Sequence, residues 1–121
     1  MANIIIKGHG SVEELIKDID SFLTGNSISC ESVYECIEEK NGVKIILSIY
    51  EKYYMRVKNR LSLSILIIGY NKELTVNLIS SGGGNGLFSG LSWGAEENFV
   101  DSLATYLESL GFIVEDDVKV Y

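Results

Sequence analysis

The sequence has one histidine, two cysteines and no apolar run approaching the roughly 20 residues that cross a bilayer as a helix. Those scarcities exclude much. Cys30 and Cys36 are six positions apart, which along a strand is roughly 20 Å, far beyond disulfide reach. Their spacing fits no zinc pattern, so they read as two reduced thiols. The opening MANIIIKGHG has its lysine only after a short apolar run and no small-residue cleavage site, unlike a signal peptide. The expectation is a soluble cytoplasmic protein.

Bases are scarce too. Ten lysines and arginines stand against 17 acids, a net charge of −7 that disfavours nucleic acid and anionic membrane as partners. The balance is uneven. Residues 1–40 hold eight acids and three bases (−5), residues 41–80 two and six (+4), and residues 81–121 seven and one (−6). Oppositely charged surfaces of this kind could meet within one domain or between copies of it.

What is present is an ordinary globular composition, 46% apolar and 22% charged, in a 121-residue chain long enough for one domain with a buried core. The organising stretch is Val43 to Ser80, three apolar runs rich in β-branched and aromatic residues with short polar breaks, the pattern of an antiparallel meander. Before it, NIIIK predicts a short strand stopped by Gly8-His9-Gly10. Ser11 with Glu14 forms a capping box, and Val12, Leu15, Ile16, Ile19, Phe22 and Leu23 share one helical face. Gly25 is the expected helix stop.

Ser32 to Glu39 predicts a modest strand, and Asn41-Gly42 a type I′ hairpin turn. In the following strand Val43, Ile45, Leu47 and Ile49 point one way, and Lys44, Ile46, Ser48 and Tyr50 the other. The first set has the parity of the core residues, and the mixed second set suggests a central strand partly covered on both sides. A turn is expected at Lys58-Asn59. Leu61, Leu63, Ile65 and Ile67 supply the core face of the next strand. Tyr70-Asn71-Lys72 turns into a strand with Leu74, Val76 and Leu78. A second helix is expected from Ala95, with Phe99, Val100, Leu103, Tyr106, Leu107 and Leu110 on its stripe. Gly111 should end it, with Phe112 packing back on Leu107 as in a Schellman motif. The tail FIVEDDVKVY reads as a short edge strand or ordered extension. The predicted fold is an α+β two-layer sandwich: a mainly antiparallel sheet of five to six strands with two helices on one face, in the order β-α-β-β-β-β-β-α plus a short tail.

Few residues invite chemistry. Gly82-Gly83-Gly84-Asn85-Gly86 could cradle an anion, but it matches neither G-x-G-x-x-G nor a P-loop. It reads instead as a hairpin turn leading to a strand with Leu87, Leu91 and Trp93, or as a mobile binding loop. His9, between two glycines, could act as a general base but has no nucleophile assignable to it. Lys44, Tyr50, Lys52, Tyr53, Tyr54, Arg56, Lys58 and Arg60 interleave cations and rings, as single-stranded nucleic-acid platforms do. Beside such acidic flanks they are expected to pair with the domain's own acids or to meet an acidic protein partner. Glu115, Asp116 and Asp117 lack the alternation and glycine of a calcium loop. No catalytic, cofactor or metal residue is proposed. The candidate partner or ligand surface comprises Tyr50, Tyr53, Tyr54, Arg56, Arg60, Gly82, Gly83, Gly84, Asn85 and Trp93.

The block Tyr50-Glu51-Lys52-Tyr53, the run Asn59-Arg60-Leu61-Ser62-Leu63, the turn Ser81-Gly82-Gly83 and the helix start Gly94-Ala95-Glu96-Glu97 resemble a family of small bacterial proteins, domain of unknown function 6054. The resemblance spans most of residues 3–110, and the tail from Phe112 looks like an addition. It implies a small bacterial cytoplasmic protein and carries over no activity and no catalytic residues. Three functional readings follow. One is a non-enzymatic module that binds a protein partner or itself through the sheet, because Ile46, Leu66 and Ile68 would otherwise face water. A second is a pocket between sheet and helices for a small apolar ligand, closed by the glycine-rich loop. The third is an enzyme, which would need a cleft joining His9 to a carboxylate or to the tyrosines; the balance leans against it.

Overall fold

A computed structural model describes residues 2–26, 30–54, 59–82 and 100–120. The strands are β1 (Ala2–His9), β2 (Cys30–Lys40), β3 (Val43–Tyr54), β4 (Asn59–Tyr70), β5 (Glu73–Gly82) and β6 (Ile113–Val120), with helix α1 (Val12–Asn26) between β1 and β2. A second helix, α2, is described over residues 100–109 and leads into β6. The six strands form one sheet in the order β2-β3-β4-β5-β1-β6, every pairing antiparallel. The described residues therefore form an α+β sandwich of six strands and two helices. The expected tail strand is β6. The strand expected around Leu87 to Trp93, the turn residue Lys58 and the start of the second helix lie outside the described residues.

Local chemistry explains the punctuation. Asn41 and Gly42 take φ of 52° and 82°, the left-handed pair that a two-residue hairpin needs to match strand twist. The β4–β5 turn repeats this at Asn71 and Lys72, with φ of 51° and 68°. Lys72 pays a steric cost there, and its carbonyl is held by the Gly10 amide at 2.9 Å. Ser11 caps α1 by accepting the Glu14 amide at 3.4 Å, but its hydroxyl donates to Glu13, at 3.1 Å, so the expected capping box is only half made. Gly25 does not stop α1. It sits within the helix, without a positive φ, and the helix runs on to Asn26. At the end of α2, Phe112 N–H reaches Leu107 O at 3.1 Å and Gly111 N–H reaches Glu108 O at 3.0 Å, with Gly111 at φ 98°. Those are the two bonds of a Schellman motif.

One sheet face and both helices make a single core. Val12, Leu15, Ile19 and Leu23 of α1 and Val100, Leu103, Ala104 and Leu107 of α2 are buried with Ile4, Ile6, Leu63, Ile65, Ile67, Val76 and Leu78 of the sheet. Phe22 of α1 stacks on Tyr106 of α2, centroids 4.4 Å apart and rings 15° from parallel. Two glycines permit close approach. The Phe112 ring lies where a Gly8 side chain would be, and a Cβ on Gly69 would come within 2.5 Å of Val12 Cγ2.

The sidedness of β3 reverses the expectation. Ile46 pairs with Ile67, Ser48 with Ile65 and Tyr50 with Leu63, and residues directly opposite in a ladder share a face. Ile46, Ser48 and Tyr50 therefore join the core, all at most 2% exposed. Val43, Ile45, Leu47 and Ile49 point away from the helices. Leu66 and Ile68 lie on that outer side as expected, but Ile46 does not.

Candidate functional site: the open face of the sheet

Strand parity and register define the outer face of the sheet residue by residue. Leu47 lies opposite Leu66, and Ile45 opposite Ile68. Ile49 lies opposite Ser64, which in turn faces Ile79; Leu66 faces Asn77, and Asn77 faces Ile5. Eight aliphatic side chains (Ile5, Val43, Ile45, Leu47, Ile49, Leu66, Ile68 and Ile79) thus share a surface whose polar members near the centre are the neutral Ser64, Thr75 and Asn77. Ile45 is 36% exposed, and the other seven are half-buried. A patch of this kind on a lone domain exceeds the scattered apolar residues of an ordinary surface.

Charges sit toward the perimeter, and several are paired. Arg60 Nη1 donates to Glu51 Oε1 at 2.7 Å. Lys7 Nζ meets Glu115 Oε2 at 3.3 Å. Tyr34, Tyr70 and Ile113 stand exposed around the same rim. On the opposite side, Lys44 binds Glu13 at the start of α1 and lies 3.7 Å from Glu39 of β2. The Lys44 ammonium beside it lowers the Glu13 carboxyl below its usual range, and Glu13 in turn raises Lys44.

The anticipated surface residues scatter. Tyr50 is 2% exposed and its hydroxyl donates to Asp20 Oδ1 of α1 at 2.7 Å, so it belongs to the core and not to a binding surface. Burial, and then the Asp20 acceptor, push its phenol well above the ordinary tyrosine value. Arg60 lies on the open face, tied to Glu51. Tyr53 and Tyr54 end β3, and Gly82 ends β5. Arg56, Gly83, Gly84, Asn85 and Trp93 lie outside the described residues. Cys30 is buried, which raises its thiol, and Cys36 lies opposite Leu47 on the open face.

His9 is the register partner of Glu73, and both line a cleft of about 370 Å³ with Lys7, Thr75, Ile113 and Glu115. The structure thus does place the histidine beside carboxylates. All three groups are solvent-exposed, and His9 makes no side-chain hydrogen bond among the described residues. Water screens charges held that way. Between sheet and helices the described side chains form one buried core, and a cleft of about 210 Å³ opens at its edge beside Glu14, Leu15, Leu74 and Phe112. What sequence reasoning missed is which of the two sets on β3 lies under the helices. A strand with one wholly aliphatic set and one mixed set is apolar on both sides.

The fold and its exposed surface define a class: an α+β domain whose antiparallel sheet is covered by two helices on one face and, among the described residues, left uncovered on the other. The chain belongs to DUF6054, a family of unknown function, whose model matches residues 1–111. No curated protein and no solved structure matches it. The match ends at Gly111, so β6 lies beyond it, although β6 pairs with β1 and completes the sheet. Among the described residues no helix is long and apolar enough to cross a membrane.

Proposed function

We propose that this protein is a non-catalytic binding module that engages a protein partner through the open face of its sheet. One observation carries the reading: β3 buries Lys44-side parity, with Ile46, Ser48 and Tyr50 under the helices, and leaves Val43, Ile45, Leu47 and Ile49 outside. Folding alone would favour the opposite choice, because transferring aliphatic surface out of water is favourable by ~25 cal/mol per Å². A second surface that takes up the outer set supplies the missing burial. The distribution of groups supports this, with an aliphatic centre, small neutral polar residues beside it, and aromatic and paired charged residues at the rim, as in protein–protein interfaces.

The test combines two measurements on the purified chain: its mass in solution and its binding of an environment-sensitive apolar dye. Association, or dye bound at this face and lost in Leu66→Lys, is the expected result. A monodisperse single chain that binds no dye would overturn the reading.

A further inference from the structure

We infer that the occupant of the open face is a second copy of this chain, the two sheets packed face to face about a two-fold axis; this rests on the binding reading above. Size is the first argument. Six strands at ~4.8 Å spacing and about eight residues at ~3.3 Å give a face of roughly 760 Å². Standard interfaces bury about 800 Å² on each partner. The face is large enough, and sheets packed in this way stack at about 10 Å with interdigitating side chains.

Charge is the second. The chain carries −7 overall, so most of its surfaces repel a copy of themselves. The open face carries three cations (Lys7, Lys40 and Arg60) and five carboxylates (Glu31, Glu38, Glu51, Glu73 and Glu115) among its described side chains, away from its centre. Three against five is a net of −2, a small part of the chain's −7, and both signs are present, so the face can meet itself. A foreign partner selected by charge would need a patch of one sign, which this face lacks. Its aliphatic centre, without aromatic or arginine anchors, also resembles a domain core cut in half, the usual character of homodimer interfaces.

Edge pairing is disfavoured by the same chemistry. β2 carries Glu31, Glu35, Glu38 and Glu39, and β6 carries Glu115, Asp116 and Asp117. Charged edge strands resist joining their own kind. The face is left as the route.

Sedimentation equilibrium at micromolar concentration should give twice the 13.4 kDa chain mass. Leu66→Lys and Ile45→Lys should each weaken the dimer at least tenfold, while Ile37→Lys on exposed β2 should leave the mass unchanged. Circular dichroism establishes that each variant is folded, and Ile45→Lys, at the more exposed position, serves if Leu66→Lys is not. A dimer indifferent to both face substitutions, or disrupted by Ile37→Lys, would overturn the inference. A single-chain mass throughout would also overturn it. Monomers that bind the apolar dye would leave the face to a different partner, whereas monomers that do not would remove the binding reading as well.

Discussion

Tyr50 reaches out of the third strand to donate its hydroxyl to Asp20 in the middle of α1, at 2.7 Å. This bond ties the helix to the sheet at a strand that otherwise gives the core only Ile46 and the small Ser48. Tyr50→Phe keeps the ring and removes the bond, at an expected cost of about 1 kcal/mol. Tyr50→Ala also empties the ring's volume and should cost ~3–5 kcal/mol. Urea midpoints with unchanged slope would report both losses; a Tyr50→Phe variant as stable as the parent would show the bond to be idle.

The sidedness of β3 has its own test. Ile46 is 1% exposed, and Ile46→Ala should cost ~2–4 kcal/mol at every protein concentration. Ile45→Ala, one residue earlier, should cost less than about 1 kcal/mol in the isolated chain. Its effect should grow with protein concentration if the open face is covered by a copy. Equal losses at the two positions would reverse the assigned faces.

Gly69→Ala should destabilise because its Cβ meets Val12 Cγ2 at 2.5 Å and Leu74 Cδ2 at 3.1 Å. Overpacking of this kind costs about 1–3 kcal/mol. Adding Val12→Ala should return part of the loss, since the offending methyl is then gone. Thermal unfolding of the two variants decides it: a double variant that melts below both singles would disprove the clash.

Lys72 sits at φ 68° in a turn whose counterpart at Asn41-Gly42 uses glycine. Lys72→Gly relieves that strain and should stabilise by about 0.5–1 kcal/mol after the added freedom of the unfolded chain is subtracted. The melting temperature should rise. A fall would mean that the lysine side chain makes a compensating contact.

The Glu13–Lys44 pair predicts the shape of the pH profile. Glu13 is lowered from 4.5 in the folded chain, so its contribution is complete above that value and lost as pH falls through the lowered one. Lys44 is raised from 10.5, so its contribution is complete below that value and lost as pH rises through the raised one. Glu13→Gln should flatten both limbs of melting temperature against pH. Unchanged limbs would exclude the pair as their source.

Much of the fold could be read from residues in isolation. The stripe of α1, the left-handed pair at Asn41-Gly42, the Gly111-Phe112 ending and the alternation of Leu61 to Ile67 each follow from local sterics or a single period. The misreadings share a cause. Which side of β3 is buried depends on the register with β4 and on an acceptor, Asp20, that α1 supplies. Gly25 permits a helix stop but does not compel one. The candidate surface was less legible than the fold: parity points Leu66 and Ile68 outward, but charges and rings are no guide to the rest of it. Tyr50 was needed inside, Arg60 was already paired, and the face itself is made of aliphatic residues that look like core until a ladder assigns their side.

β1 lies fifth in the sheet, between β5 and β6, so residues 2–9 find their neighbours at 73–80 and 113–120. During synthesis the Ile4-Ile5-Ile6 run is made before its partners and waits, both backbone flanks bare, for strands more than sixty residues later in the chain. Topologies of such high contact order close slowly. Chaperone demand during synthesis should therefore fall on the first strand, and the meander of β2 to β5 should assemble before the strand that precedes it in the chain.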